Sequence, residues 1–360
     1  MNDSFPPITL AAAALRRLMT DVFTALDVAP EDTARAVAPL MEATLAGYDS
    51  HGVMRLPRYA AALRGGAIDP RGAFTLLRET PAAAYVDAGN ALGPVTATRA
   101  VEVACAKARQ VGIGCVSTVN SNDIGRLGSY LREPAQSGLL TLLVANDSGG
   151  LPTVTPHGGL ARFFSTNPLG AGIPRGDAEP ILIDMSTAVT AVGRLRMDAQ
   201  RGVEIPAGWL IDRDGEAVLD PARFFAEPDD VFLLPLGGTL AGHKGFALQL
   251  LVEVLAGALG GAGVVTGVDT GREANAIFAL AIDPDYFVGR AAFAEQVAAL
   301  TAGLQQVPPR PGSAGVRLPG ARAAEERIRR AAQGIELTPP THQELRQTLD
   351  TLGLPFDAYT

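Results

Sequence analysis

The sequence has 360 residues, of which 47% are hydrophobic and 19% are charged, and its formal net charge is −8. A chain of this length can bury a large apolar core, and two or three domains are expected. The negative charge and the lack of a basic run argue against nucleic acid or an anionic membrane surface as a partner.

Features of the N-terminus and the cysteine count point to the compartment. The N-terminal MNDSFPPITL lacks the charged region and cleavage site of a signal peptide, and no uncharged apolar run is long enough to span a membrane. The two cysteines, Cys105 and Cys115, are too few for a disulfide framework or a thiolate zinc site. No set of His, Cys and carboxylate residues has metal-ligand spacing. The sequence therefore predicts a cytoplasmic protein without a metal.

The first part of the chain is predicted to be helical and the next part to alternate. Apolar residues recur at helical spacing from Thr9 to about Ala46, with Pro30 near a helix start, and LPRYAAALRGG forms a third helix that ends at a glycine pair. The strand-like AAAYVDAG precedes the helix GPVTATRAVEVACAKARQVG. IGCVSTVN and SGLLTLLVAND are buried strands, and SNDIGRLGSYLREPAQ between them is a loop that leads into a helix.

The second half continues this alternation. Residues 151–195 are predicted as strands and turns, 244–260 as a long apolar helix, ANAIFALAIDP as a strand and AAFAEQVAALTAGL as a helix. RAAEERIRRAAQG is a charged helix that ends at Gly334, and His342 is expected on the surface. The alternation indicates an α/β chain. No strand is followed by the GxGxxG loop of the ordinary Rossmann dinucleotide fold.

The stretch GYDSHGVMRLPRY, residues 47–59, concentrates residues suited to an organic acid. On one helix, His51, Arg55 and Tyr59 would lie at i, i+4 and i+8 and share a face. Arginine binds a carboxylate with paired hydrogen bonds, and histidine exchanges a proton near neutral pH. The pattern is typical of a site that holds a 2-oxo or 2-hydroxy acid and protonates its carbonyl group. A capped helix start with solvated charges explains the residues about equally well.

SHGVMRLPRY resembles the signature of the type-2 malate/L-lactate dehydrogenase family, which also contains ureidoglycolate dehydrogenase, diketogulonate reductase, sulfolactate dehydrogenase and the cyclic imino acid reductases. Other segments agree with the family in order between about Leu15 and Leu354, namely SNDIG, TPHGG, STNPLGAGIP, ILIDMST, IPAGWLIDRDG, HKGFALQLLVEVLAG and VRLPGAR. The resemblance implies an α/β, non-Rossmann malate/L-lactate dehydrogenase-like fold, NAD or NADP as cofactor, a small-molecule acid as substrate and a homodimer.

The resemblance also implies how the chain is divided. A helical domain formed from both termini would carry the SHG site, beside an α/β cofactor-binding domain and a smaller third domain. The expected boundaries are 1–75 plus 318–360 for the helical domain, 76–125 plus 230–317 for an α/β substrate and dimerisation domain, and 126–229 for the cofactor-binding domain.

The catalytic roles carry over from the family residue by residue. His51 would donate a proton to the substrate carbonyl or imine, and Ser50 and Asp184 would orient its imidazole, as a carboxylate does in other relay systems. From the residues alone, Asp184 is better explained as a turn residue after a strand. Arg55 and Tyr59 match positions that contact the substrate acid, and His157, in a turn before two glycines, could line the cleft.

Three segments resemble cofactor-binding parts of the family. The run ILIDMS would lie against the nicotinamide half of the dinucleotide through Ile183, Met185 and Ser186. Lys244, one of only two lysines, precedes a long helix and would bind a pyrophosphate or a ribose phosphate, although a solvated surface lysine is the alternative. Gly320 and Arg322, in LPGAR, match a late segment that touches the cofactor, although PG is also an ordinary turn.

Asp123 departs from the family pattern. Many relatives have SNHFG where this chain has SNDIG, and their histidine is a second acid–base group. An ordinary aspartate is ionised at neutral pH and only accepts hydrogen bonds. Asp123 could therefore prefer a cationic substrate group such as an iminium, repel the second carboxylate of malate, act as an acid if burial keeps it protonated, or mark a loss of hydride transfer.

Two hypotheses about function follow. The first is an NAD(P)-dependent oxidoreductase that reduces a 2-oxo acid or a cyclic 2-imino acid, with His51 as the proton donor. The second keeps the fold without net redox chemistry, so that the protein binds a cofactor or an acid metabolite or uses the cofactor transiently. Asp123 tilts the first hypothesis toward a nitrogen-containing substrate.

Overall fold

The structure, a computed structural model, describes residues 6–147, 150, 152–266 and 274–360. The α-helices in these ranges are α1 (Ala12–Ala25), α2 (Pro30–Leu45), α3 (Leu56–Arg64), α4 (Gly93–Val111), α5 (Gly128–Gln136), α6 (Val192–Arg201), α7 (Ala222–Ala226), α8 (Gly238–Val252), α9 (Arg290–Gln305), α10 (Ala321–Gln333) and α11 (Pro339–Thr351). The strands are β1 (Ile8–Leu10), β2 (Thr75–Glu79), β3 (Ala83–Asp87), β4 (Ile113–Val119), β5 (Leu140–Asp147), β6 (Leu169–Arg175), β7 (Ala178–Met185), β8 (Leu210–Asp212), β9 (Ala217–Val218), β10 (Val231–Leu233), β11 (Asn275–Ile282) and β12 (Ile335–Leu337). The predicted α/β class is confirmed.

Both ends of the chain contribute to one helical layer. The strand β1 pairs with β12 in antiparallel fashion, and α1, α2, α3 and α11 share an apolar core that includes Phe23, Leu40, Leu56 and Leu345. The long helices follow the 3.6-residue period of their apolar positions, as predicted. This layer carries the SHG segment, which lies between α2 and α3.

The central sheet has seven strands in the order β2-β3-β4-β11-β5-β6-β7. Only β3 and β4 are parallel; the other neighbours are antiparallel. The helix α4 packs on β4 and β11 through small residues, and a Cβ on Gly114 would lie 2.1 Å from the Ala104 carbonyl oxygen. The loop that follows β4 contains Asp123, and this loop contacts the helical layer through Arg55 and Tyr59.

A second, smaller core lies around a three-stranded sheet in the order β10-β8-β9. Val154, Leu195, Phe224 and Leu233 belong to it, together with other apolar residues of 154–233. Separate cores agree with a division into several domains. The domain boundaries given above remain predictions.

The apolar helix expected at 244–260 begins earlier and changes its form. The helix α8 starts at Gly238, breaks its regular geometry at Ala241 (φ −142°, ψ 23°) and continues as a π-helix over Glu253–Ala258. Several apolar side chains on this helix and its π-helical extension are exposed, namely Leu240, Leu250, Leu251, Val254 and Leu259. No helix in the described ranges is both long enough and apolar enough to cross a membrane.

His342 is not on the surface, contrary to expectation. Only 3% of the residue is exposed, its Nδ1 lies 2.9 Å from the Pro6 carbonyl oxygen, and its Nε2 accepts a hydrogen bond of 2.9 Å from Arg346. The start of α11 is covered by the chain segment that leads into β1. A polar local sequence cannot reveal burial by a segment more than 300 residues away, so the prediction was wrong.

Candidate active site

The SHG segment does not form the single helix that the spacing predicts. Two short 3₁₀ turns, Asp49–His51 and Val53–Arg55, precede α3. The reason lies at Gly52, which has φ −115° and ψ −119°, and where a Cβ would lie 2.2 Å from the Thr44 hydroxyl. That hydroxyl accepts a 2.9 Å hydrogen bond from the Val53 amide, so the segment is held against α2 and has to turn.

The turn nevertheless brings the predicted residues together. Ser50 Oγ lies 3.0 Å from His51 Nδ1, and Arg55 Nε donates to the Ser50 carbonyl oxygen at 2.9 Å. Tyr59 donates from its hydroxyl to the Asp123 carbonyl oxygen at 3.0 Å. The cluster is therefore assembled by the 3₁₀ turns and the loop after β4, and not by one helix face.

Asp123 has a cationic partner within the chain. Arg55 donates from Nη1 to the Asp123 carboxylate, Arg58 Nη1 lies 3.9 Å from the same oxygen, and the Gly125 amide donates to the other oxygen at 2.9 Å. Two hydrogen-bond donors and the nearby charge of Arg58 thus hold the carboxylate in place. The cationic partner of Asp123, which the sequence analysis placed on the substrate, is therefore Arg55 of the same chain.

His51 is neutral at pH 7 in this arrangement. Burial lowers the pKa of its imidazole to about 4, and the guanidinium groups of Arg55 and Arg126 act in the same direction. The Asp123 carboxylate opposes them only in part. A neutral imidazole can accept a proton at once, whereas it can donate only after it has been charged.

Asp184 binds Arg126, a residue that the sequence analysis did not single out. Asp184 Oδ2 lies 2.8 Å from Arg126 Nε and accepts from the Gly128 amide at 3.2 Å. Burial raises the pKa of Asp184, and Arg126 opposes that rise. Within the described residues the Asp184 carboxylate contacts Arg126 and the Gly128 amide. Its predicted role in orienting His51 stays a prediction. The sequence signal that could have drawn attention to Arg126 was a charged residue between two glycines, in GRLG.

Tyr59 and Tyr130 fix the loop that carries Asp123. Tyr59 is 2% exposed and donates to the loop at the Asp123 carbonyl oxygen, and Tyr130 donates to the Ile124 carbonyl oxygen. Burial raises the pKa of both phenols, so both remain protonated donors. Contact between Tyr59 and a substrate stays a prediction.

The predicted nicotinamide segment and the late LPGAR segment are neighbours. Gly320 has φ +86°, and a Cβ there would lie 3.1 Å from the Leu182 backbone nitrogen, so a larger residue would push the segment away from β7. Ile183, Met185 and Ser186 follow Leu182 and are partly exposed. Arg322 places its guanidinium 5.1 Å from the centre of the Tyr48 ring, next to the SHG turn.

Lys244 is exposed just after the break in α8, and no carboxylate of the described ranges lies within salt-bridge distance of it. Its neighbour Gly245 packs on Leu236, whose amide donates to the Thr187 carbonyl oxygen at 2.8 Å. The start of α8 therefore adjoins the ILIDMST segment. A free ammonium group and a helix start suit the phosphates of a dinucleotide.

His157, the third predicted substrate residue, lies in this second region. Its ring centre is 5.7 Å from that of His243, the residue before Lys244. Both histidines are exposed. The structure therefore groups His157 with the predicted phosphate-binding lysine, and its contact with substrate stays a prediction.

Comparison with known proteins identifies the family. Residues 10–346 match the malate/L-lactate dehydrogenase family. The chain belongs to this family. An L-sulfolactate dehydrogenase from Methanocaldococcus jannaschii is 30% identical over 96% of the chain and 97% of the relative. A malate dehydrogenase from Pyrococcus horikoshii is 36% identical over 77% of the chain and 76% of the relative.

Two solved structures of enzymes with related sequences superpose on nearly the whole chain. The sulfolactate dehydrogenase of M. jannaschii gives a TM-score of 0.88 at 30% identity and covers 98% of this chain and 99% of its own. A Δ1-piperideine-2-carboxylate reductase from Pseudomonas syringae gives 0.79 at 29% identity and covers 95% and 99%. This malate/L-lactate dehydrogenase family member is therefore an oxidoreductase with a nicotinamide cofactor. Its relatives are named for different acids, so the family alone does not fix the substrate.

Proposed function

We propose that the protein interconverts a 2-oxo acid or a cyclic 2-imino acid with the corresponding 2-hydroxy or 2-amino acid, using NAD or NADP. The observation that supports this most directly is the partly buried His51 imidazole, which lies 3.0 Å from the Ser50 hydroxyl and close to the Arg55 and Arg126 guanidiniums. A proton-exchanging group next to positive charge suits the reacting carbon of an organic acid.

The cofactor would supply or accept the hydride, and residues from three segments would hold it. The exposed ammonium group of Lys244, which has no carboxylate of the described ranges within salt-bridge distance, would bind the phosphates. Ile183, Met185 and Ser186 would line the nicotinamide side, and Gly320 with Arg322 would close the site from α10. The close packing of Gly320 on Leu182 supports this grouping.

His51 would act as the base in oxidation and as the acid in reduction. With a pKa of about 4 it accepts a proton readily at neutral pH. A substrate carboxylate bound beside His51 would add a negative charge to that of Asp123 and raise the pKa of the imidazole, since an opposite charge nearby favours the protonated form. Proton donation would therefore be coupled to the arrival of the acid group.

Asp123 would restrict the acid to one carboxylate. It occupies Arg55 and places a negative charge in the cluster. A second carboxylate on the substrate would meet this charge without a free guanidinium on Arg55 to offset it. Since Asp123 already has a cationic partner, it gives less reason than the sequence did to require a nitrogen cation on the substrate. Both 2-oxo and 2-imino monocarboxylic acids remain in the proposal.

The test is a screen that follows the absorbance of the nicotinamide. NADH and NADPH are each mixed with the protein and with a panel of 2-oxo monoacids, 2-oxo dicarboxylic acids and cyclic imino acids. We expect oxidation of the cofactor by monocarboxylic substrates. Best activity with oxaloacetate would contradict the proposed restriction. Silence across the panel, with cofactor binding intact by calorimetry, would favour the second hypothesis of a binding protein.

We also infer that a second copy of the chain covers the exposed apolar side of α8 and its π-helical extension. We expect this dimer to function in the cytoplasm. Leu250, Leu251, Val254 and Leu259 are each 45–61% exposed. Isolated exposed leucines are ordinary, but a contiguous apolar stretch on one helix is typical of an interface. A homodimer would bury this stretch against its own copy.

A further inference from the structure

Glu253 is a buried carboxylate that the proposed reaction does not use. It is the first residue of the π-helix and is 4% exposed, whereas its neighbour Val254 is 55% exposed. Asn167 Nδ2 donates to Glu253 Oε1 at 2.8 Å, and Asn146 Nδ2 and the Val265 amide donate to Oε2 at 3.0 and 3.2 Å. Among the described residues, no cationic side chain lies within salt-bridge distance of it. Three N–H donors therefore satisfy the carboxylate in place of a cation.

One oxygen of Glu253 holds the turn that anchors the predicted nicotinamide segment. Asn167 has φ +39°, in the left-handed region, which requires support from its surroundings, and its side chain is fixed by Glu253. The Thr187 hydroxyl donates to the Asn167 carbonyl oxygen at 2.8 Å, and the Thr187 amide donates to the Thr166 carbonyl oxygen at 2.9 Å. Thr187 directly follows Ser186, so the position of the ILIDMS run depends on the conformation of Asn167.

The other oxygen of Glu253 is connected to the loop that carries Asp123. Asn146, near the end of β5, donates from its side chain to Glu253, and its carbonyl oxygen accepts from Asn275 Nδ2 at 2.9 Å. Asn275 Oδ1 in turn accepts from the Ile124 amide at 3.0 Å. One buried carboxylate therefore contacts the residues that anchor both segments of the proposed site.

We propose that Glu253 is a positioning residue: its carboxylate fixes the nicotinamide segment relative to the Asp123 loop, so that the hydride and the acid meet in the productive geometry. The inference rests on the proposed function, since it assumes that the cofactor lies against residues 183–186 and the acid beside His51. It gives a task to a carboxylate whose burial costs free energy and which an apolar residue could replace if packing alone were required.

The experiment begins with Glu253→Gln. Glutamine keeps the shape of the side chain, but its NH2 group faces an N–H donor in either orientation, so at least one of the three contacts is lost. A small misplacement caused by a residue far from the chemistry costs roughly 100-fold, and we expect kcat to fall by about that factor. The Kd of NADH or NADPH, measured by nicotinamide fluorescence, should stay close to that of the unchanged protein, because no residue proposed to contact the cofactor is replaced.

The double variant Glu253→Gln with Asn167→Asp tests the contact itself. The glutamine NH2 group then faces an aspartate carboxylate, and aspartate tolerates the left-handed conformation as asparagine does. Asn167→Asp alone should lower kcat at least as far as Glu253→Gln, because two carboxylates then face each other. We expect the double variant to recover to within about tenfold of the unchanged protein.

Asp283→Asn is the matched control for stability. Asp283 is 2% exposed and follows the opposite end of β11 from Asn275, and its replacement breaks a buried ion pair with Arg290. All variants are compared at a temperature below the melting of each. Unchanged kcat in Glu253→Gln, no recovery in the double variant, or an equal loss of kcat in Asp283→Asn would overturn the inference.

Thr187→Val keeps the inference testable if neither Glu253 variant folds. It removes the hydroxyl that joins Asn167 to the nicotinamide segment and leaves the three contacts of Glu253 in place. We expect kcat to fall while the Kd of the cofactor is retained, as in Glu253→Gln. Normal kcat in Thr187→Val would contradict the proposed task of Glu253.

Hydrogen exchange measured by mass spectrometry gives a readout that needs no turnover. Peptides that cover the Asp123 loop and residues 183–190 should exchange about tenfold faster in Glu253→Gln, and not in Asp283→Asn, because their anchors are loosened. Unchanged exchange in both segments would overturn the inference. If exchange rises while the unchanged protein turns over no acid in the screen, the proposed function fails and the fixation of the two segments by Glu253 stands.

Discussion

His51, Ser50, Arg55 and Asp123 show what sequence can predict at the scale of single residues. Their convergence followed from a short motif and a family resemblance, although the helix expected to align them was replaced by two 3₁₀ turns. The pairing partners of the charged residues were not predictable. The Arg55–Asp123 pair joins residues 68 positions apart, and the Arg126–Asp184 pair joins a loop residue to the end of β7. Long-range pairs of this kind depend on how the sheet meets the helical layer.

The proton-exchanging role of His51 predicts a large loss of turnover on truncation. His51→Ala should lower kcat by about 100-fold to 10,000-fold, the range typical of a lost acid–base group. Cofactor binding, measured by nicotinamide fluorescence, and the melting temperature should be retained. Normal turnover in this variant would remove His51 from the mechanism.

Burial of His51 predicts a loss of stability in acid. The folded-state pKa of about 4 lies below the unfolded value of 6.5, so the unfolded chain binds a proton first as the pH falls. The free energy of unfolding should therefore decrease between pH 6.5 and 4, by roughly 3 kcal/mol from this residue. Urea unfolding at several pH values checks this. His51→Gln should lack this component; an identical pH dependence in both proteins would contradict it.

The Arg55–Asp123 pair predicts a gain of function. Asp123→Asn keeps an oxygen for the Gly125 amide but no longer neutralises Arg55. We expect KM for a monocarboxylic substrate to fall by about tenfold, because one charge-assisted contact becomes available, and activity on dicarboxylic acids to rise. Asp283→Asn breaks a comparable pair with Arg290 outside the site and should leave KM unchanged. A higher KM for both substrate classes in Asp123→Asn would contradict the proposed restriction.

At the scale of elements, long helices and buried strands were predictable and short pairings were not. The 3.6-residue and two-residue periods identify α1, α2, α4, β4 and β5 without reference to neighbours. The strands β1 and β12 have three residues each and exist because they pair with each other, 325 or more positions apart. The π-helix after α8 likewise leaves no local pattern. Such elements are set by packing.

Arg330 of α10 binds the 3₁₀ turn Asp49–His51, which carries the predicted catalytic residues. Arg330 donates from Nη1 and Nη2 to the two Asp49 carboxylate oxygens and from Nη1 to the Thr44 carbonyl oxygen at 2.9 Å. Asp49 precedes Ser50, so Arg330→Ala should loosen the turn. We expect kcat/KM to fall by about tenfold or more, as for a misplaced reacting group.

The neighbouring Arg329 provides the matched control. It pairs with Glu326, as Arg330 does, but it is exposed and does not reach Asp49. Arg329→Ala should leave kcat/KM and the melting temperature close to those of the unchanged protein. Equal losses in the two variants would show that Arg330 acts through Glu326 and the stability of α10, and not through the turn.

At the scale of the whole molecule, the family and the fold class were predictable because motifs occur in the same order along nearly the full chain. The family match over residues 10–346 confirms that prediction. The domain boundaries and the dimer were implied by the resemblance alone. The exposed apolar side of α8 and its π-helical extension is the feature of the described structure on which the proposed dimer rests.

The proposed dimer should dissociate into monomers after a single charged substitution in its interface. Val254 is 55% exposed on the apolar side of the π-helix, and Val254→Asp should place a charge in the proposed interface. Sedimentation equilibrium should then show the monomer of 37.3 kDa at concentrations where the unchanged protein is twice that mass. Ile328→Asp, at a 72% exposed position on α10, is the control. A monomeric unchanged protein would refute the interface.

The pairing of β1 with β12 also has a consequence for biosynthesis. During translation, Ile8–Leu10 must wait for Ile335–Leu337 to emerge from the ribosome, and Asp49 must wait for Arg330. The 3₁₀ turn Asp49–His51 is therefore synthesised early, but its contact with Arg330 can form only near the end of translation. All seven strands of the central sheet have been synthesised once Ile282 is added. A nascent chain could therefore pair these strands before the helical layer that carries His51 is complete.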